Sequence, residues 1–227
     1  MILKCPVTVE DVIRADKNYG RDIHAQKGKT TRTQLTQVIT DYVKLPPSIL
    51  EKNKHVTLSI DIMYVNRIPF VTTISRNIKF TTVKAIENRT KYQLVQSIKN
   101  LLPIYTQRGL QVDNAFLDGE FVPLCTDLLT LGINPNFATR NEHVPEIERQ
   151  HHLIKERAQA CRHDLPFKVL TWLMLVEMVN NCALWLNMFP QKGGTGSVSP
   201  RTLMTGIKLD YKKNCQLPFG SYVQVHE

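Results

Sequence analysis

The chain has 227 residues and a mass of 26.1 kDa, with 42% apolar and 22% charged residues. That balance excludes a disordered or fibrous polypeptide and leaves room for one full domain with extensions. Lys and Arg number 29 against 20 Asp and Glu, a formal charge of +9, which favours an anionic partner such as nucleic acid, a membrane surface or a phosphorylated ligand and argues against a calcium buffer. The five cysteines, Cys5, Cys125, Cys161, Cys182 and Cys215, are scattered and form no CxxC pair. Neither a disulfide framework nor a self-contained zinc site is expected of them, and a reducing compartment fits best. No apolar h-region opens the chain, and its longest apolar run, residues 169–179, is broken by Glu177. A soluble protein without a secretory signal or membrane span is therefore expected.

In chain order, residues 1–54 form a basic lead-in, with a polar, cationic arm at 26–34 punctuated by Pro46-Pro47. Three β-branched runs follow, at 56–63, 68–75 and 79–86, close enough together for an antiparallel meander. Leu94, Val95, Ile98, Leu101 and Leu102 recur at three and four, predicting a helix over about 90–107 that Gly109 closes. A fourth strand is expected at 110–117, a short helix at 122–131, and a fifth strand at 133–139. A polar helix follows at 145–162, then, after Asp164-Leu165-Pro166, an apolar helix at 167–188. The order βββαβαβαα implies an α/β fold, a mixed five-stranded sheet with helices on both faces. The expected domains are an arm over 1–54, a core over 55–189 and a C-terminal extension over 190–227, which ends in a strand-like FGSYVQV and reads as cut within a domain.

Three carboxylates stand out. Asp61 lies inside the first strand among Leu58, Ile60 and Ile62, and a carboxylate there is unfavourable unless it faces solvent or is paired or metal-bound. Asp118 ends the fourth strand in LDGEF, at the strand end where open α/β sheets carry their chemistry; an ordinary Asp-Gly turn is the plain alternative. Glu148 lies in the first turn of the polar helix, where an acid also suits the macrodipole, and Glu142 and Glu146 compete for the same role. His152, Lys155, Gln159 and Arg162 continue its face at steps of three and four. Three clustered carboxylates stay ionised only beside cations. Two Mg²⁺ or Mn²⁺ ions would meet that need and would carry out in-line phosphoryl displacement on a nucleic-acid backbone.

Asp61 in SIDIM, Asp118 in DGEF and Glu148 in PEIERQHHLIKERA resemble the DDE triad of retroviral and retrotransposon integrases, above all those of copia-type elements. The segment SPRTLMTGIKLDYKKNCQLPFGSYVQV also resembles the stretch that follows the copia-type core. The resemblance covers about 55–227 and implies an RNase H-like fold. It also implies a polynucleotidyl transferase that trims the 3′ ends of element DNA and joins them to target DNA. Asp61, Asp118 and Glu148 would be the catalytic metal ligands, and His152, Lys155 and Arg162 would contact the DNA backbone. A homo-oligomer acting in the nucleus after a cytoplasmic particle stage is implied as well. Twenty-nine residues separate Asp118 from Glu148, fewer than in the family, whereas Asp113 leaves 34 and is the alternative second acid. The family's zinc module has no counterpart, since Cys5 and His24 stand without partners. The adjacent His151 and His152 point to different helix faces and make no zinc site with Cys161 and His163. Two other functions remain open: a catalytically silent nucleic-acid-binding remnant, and an RNase H-type nuclease, against which the lack of a fourth clear acid counts.

Overall fold

The computed structural model describes residues 7–20, 45–138, 145–196, 198–207, 210–211, 215 and 217–221. The chain forms two compact units. In the unit that takes in Met1–Ile39 and Ser221–Glu227, the described helix is α1 (Val9–Tyr19). Thr8 starts it with a capping box, its hydroxyl accepting from the Asp11 N–H while the Asp11 carboxylate accepts from the Thr8 N–H. This helix is an addition to the expected arm; the cationic stretch at 26–34 and most of the FGSYVQV strand lie outside the described residues.

The second unit, Thr40–Gly220, holds the sheet. Helix α2 (Pro47–Lys52) leads into β1 (His55–Val65), which turns through Asn66-Arg67 into antiparallel β2 (Ile68–Ser75). Both turn residues have positive φ, 47° and 66°, the left-handed backbone that a tight two-residue hairpin loop requires. β3 (Thr81–Ala85) completes the meander. It starts two residues later than expected because Lys79, at φ 62°, spends its N–H on the Ser75 carbonyl in the turn.

Helix α3 (Lys91–Thr106) crosses to β4 (Gln111–Leu117), parallel to β1. A 3₁₀ turn, η1 (Gly119–Leu124), and α4 (Cys125–Thr130) lead to β5 (Asn134–Phe137), parallel to β4. The sheet order is 3-2-1-4-5. Helices α5 (Pro145–Asp164), α6 (Trp172–Met188) and α7 (Pro200–Thr205) follow. The expected α/β sheet is thus present. α6 begins at Trp172 rather than Phe167 because the Thr171 hydroxyl caps it, accepting from the Met174 N–H at 3.2 Å.

Strand alternation sorts the core into two layers. Leu58, Ile60 and Ile62 pack with Ile98 and Tyr105 of α3, Leu128 of α4 and Leu203 of α7. Met63 and Phe70, on the other face, pack with Ile154 and Ala158 of α5 and Val179, Cys182 and Leu186 of α6. A polar clamp fixes α5 and α6 to the edge strand β3. The Asn187 amide accepts from the Thr81 N–H at 2.8 Å and donates to the Thr81 carbonyl at 2.6 Å, as a further strand would. Gln150 of α5 donates to the Thr81 hydroxyl at 2.8 Å. This bond is two residues from Glu148 and sets the rotation of α5 about its axis.

Candidate active site

The two aspartates meet because of a bulge. β1 and β4 pair as Val56↔Val112, then Thr57↔Asn114, so Asp113 drops out of the ladder. The shifted register runs on to Ile60↔Leu117, which brings Asp61 level with Asp118 on the same sheet face. Asp113 lies five residues earlier on β4, some 16 Å along the strand at ~3.3 Å per residue. There its carboxylate pairs with Nδ1 of His55 at 2.5 Å. The alternative second acid is therefore at the opposite end of the strand from Asp61.

Asp61 is half-buried and its Oδ1 accepts from the Ile62 N–H at 2.7 Å. Burial, together with the negative charges of Glu120, Asp118 and Glu148, pushes its carboxyl from 3.8 up to about 6. The structure thus brings all three expected acids into one field, from a strand, a strand end and a helix. Asp118 caps η1, accepting from the Gly119 N–H at 2.6 Å; it is both a turn residue and a neighbour of Asp61. Glu148 is exposed at the start of α5, while Glu146 turns away to pair with Lys79 and Arg76.

Two residues that sequence reasoning passed over belong to this site. Glu120, two residues after Asp118, is a fourth acid bearing on Asp61, held by Arg89 at 3.2 Å. The count of acids consequently no longer weighs against a ribonuclease. His151 approaches Asp61 with Nδ1 at 3.7 Å from Oδ2. Burial and the nearby Lys155 depress its pKa from 6.5 to about 4, so it stands beside Asp61 as a neutral imidazole and the pair is not an ion pair. Its position is legible in hindsight, because Ile147, His151, Ile154 and Ala158 form the buried stripe of α5.

The floor is polar and under-bonded. Ser59 lies two residues before Asp61 on the same strand face, and Thr72 lies opposite Asp61 on β2. Their hydroxyls, like Nε2 of His151, are buried and have no hydrogen-bond partner among the described residues. Buried polar atoms of this kind call for a ligand or ordered solvent. Carboxylate oxygens above orphaned hydroxyls are a donor set suited in type and charge to a hydrated hard cation. Among the described residues, however, no three His, Cys, Asp or Glu side chains stand close enough together to hold an ion.

The expected DNA-contacting residues are placed unequally. His152 is exposed and faces Glu156, one turn on, at 3.7 Å. Lys155 is exposed beside His151. Arg162 donates to the Lys168 carbonyl at 2.6 Å, closing the turn between α5 and α6. Lys155, Gln159, Arg162 and Lys168 rim a cavity of about 380 Å³ on the Glu148 flank of α5.

No protein-family model and no curated protein matches the chain. Among solved structures, it is similar to the catalytic core domain of BIV integrase, with a TM-score of 0.50 and 19% identity over 65% of this chain and 92% of that one. No helix among the described residues is long and apolar enough to cross a membrane. The sheet order, the two helical layers and this likeness together identify the fold as the mixed five-stranded RNase H-like α/β fold of an integrase catalytic core.

Proposed function

We propose that this chain is the catalytic core of a copia-type retrotransposon integrase, a metal-dependent polynucleotidyl transferase that trims the 3′ ends of element DNA and joins them to target DNA. The observation that carries the reading is the half-buried Asp61 carboxyl, raised by burial and by the charges of Glu120, Asp118 and Glu148, on a sheet similar to that of an integrase core. Asp61, Asp118 and Glu148 would be the residues that hold Mg²⁺ or Mn²⁺. Bound there, such ions would supply Lewis-acid chemistry for an in-line displacement at a scissile phosphate.

The chain's own groups supply the rest. The strand register presents Asp61 and Asp118 side by side, and the Ile62 and Gly119 N–H groups orient one oxygen of each carboxylate. Neutral His151 supports the back of Asp61 without cancelling its charge. Lys155 and Arg162 continue along the flank as phosphate contacts, adding affinity rather than sequence preference. Water or a DNA 3′ hydroxyl attacks, so no covalent bond to the protein forms. The protein would act on DNA as a homo-oligomer in the nucleus.

The test is strand transfer on a labelled duplex with Mg²⁺ or Mn²⁺, comparing the wild type with Asp61→Asn and Glu148→Gln. Activity in the wild type and its loss in both variants supports the reading; no metal-dependent product overturns it and leaves a silent binding remnant. Glu120 favours a second reading, an RNase H-type nuclease. An RNA–DNA hybrid cleaved in preference to the DNA duplex would select it.

A further inference from the structure

On the flank of α5 opposite Glu148, a groove of about 600 Å³ opens between α5 and the end of α6, with the β2–β3 turn beneath it. Arg76, Lys79, Arg149, Arg157 and Lys192 line it against one acid, Glu146, which is engaged by Lys79 and Arg76. Arg149, Arg157 and Lys192 are exposed and take part in no ion pair among the described residues. Arg149 and Arg157 stand eight residues apart, about 12 Å along the helix at 1.5 Å per residue. At one end the Phe189 ring, 52% exposed, is backed by Trp185 in a stacked pair with centroids 6.2 Å apart. An aromatic face at the mouth of a cationic groove suits a flat, anionic ligand.

We infer that this groove binds a short single-stranded stretch of nucleic acid, with Arg149, Arg157 and Lys192 along its backbone and a base stacked on Phe189. Charge selects a polyanion, and the aromatic platform selects one with a π-face, the combination used where single strands are held without sequence preference. The volume admits a few nucleotides and is too small to seat a duplex, which touches proteins over a far larger surface. The choice of nucleic acid over an acidic protein segment rests on the function proposed above. The site itself is separate, on the other side of α5 from the carboxylates, so the two ideas fail separately.

The experiment is fluorescence anisotropy on the full chain, with a labelled oligothymidine of eight nucleotides, a matching duplex and an oligoglutamate peptide. The proteins are the wild type, Arg149→Glu/Arg157→Glu and Phe189→Ala, each checked for folding by circular dichroism. The double variant is expected to bind the oligothymidine roughly tenfold or more weakly, with the log–log salt slope shallower by about 1.4, that is ~0.7 for each lost cation. Phe189→Ala is expected to weaken binding several-fold at an unchanged slope, the signature of lost stacking. Folded variants that bind the oligothymidine normally would overturn the inference. So would an effect confined to the duplex, or to the oligoglutamate, which would make the groove a protein-docking surface.

Discussion

Asn at position 61 keeps the shape of the aspartate and an oxygen for the Ile62 N–H but removes the charge, and its consequences can be worked from the structure. The Asp61 carboxyl lies at about 6 when folded against 3.8 ordinarily. A folded value above the unfolded one means that its stabilising contribution is complete below pH 3.8 and is lost as the pH rises through 6. A rise from 3.8 to about 6, at ~1.36 kcal/mol per pH unit and discounted for the part of the carboxyl still in solvent, is worth about 1–3 kcal/mol. His151 has the opposite sign. Its folded value of about 4 lies below 6.5, so its contribution is complete above pH 6.5 and is lost as the pH falls through 4. Between pH 4 and 6 the two slopes oppose each other, and the metal-free wild type is expected to hold a nearly level stability there. Asp61→Asn removes the falling slope and leaves the rising one. The variant is expected to gain stability from pH 4 to 6.5 and to exceed the wild type at pH 8 by about 1–3 kcal/mol, several degrees in Tm for a unit of this size. Thermal melts in chelator across pH 4–8 measure this. Addition of Mn²⁺ at pH 8 should then raise the wild-type Tm and leave the variant unmoved. A variant no more stable than the wild type at pH 8, with the same pH curve, would refute the account of Asp61 as a buried carboxylate in a field of like charge.

Asp118→Asn is expected to abolish strand transfer while Asp113→Asn leaves it near the wild-type level, since Asp113 faces His55; single-turnover assays of the two decide. His151→Leu should lower kcat by tenfold or more with little change in KM, and His151→Asn should restore part of it, whereas a purely structural role would show as a fall in Tm in both. Lys155→Ala should weaken binding equally across DNA sequences and make the salt slope shallower by about one, by titration at several salt concentrations. Asn187→Ala leaves the buried Thr81 N–H and carbonyl unpaired. It should cost about 2–4 kcal/mol in urea unfolding.

Much of this protein is readable along the chain because the deciding forces are local. β-branched runs mark β1, β2 and β3, a period of 3.6 marks α3, and Pro145 marks where α5 begins, all within a few neighbouring residues, whereas α6 starts at Trp172 instead of the expected Phe167 because the cap at Thr171 decides it. The acids Asp61, Asp118 and Glu148 could be singled out because each sits where a charge is unusual or a helix begins. What brings them together depends on distant residues. The bulge at Asp113 advances the β4 register by one, and because side chains alternate faces, that one step puts Asp118 rather than Leu117 beside Asp61. Glu120 enters the site through the 3₁₀ turn after Asp118, and Leu203 joins the core far from its sequence neighbours. The rotation of α5, set by the Gln150 bond to Thr81, turns His151 inward against Asp61 and leaves His152 in solvent. Adjacent histidines with the same chemistry acquire opposite environments because burial belongs to the packed assembly, and burial is the main cause that holds His151 neutral and raises the Asp61 carboxyl.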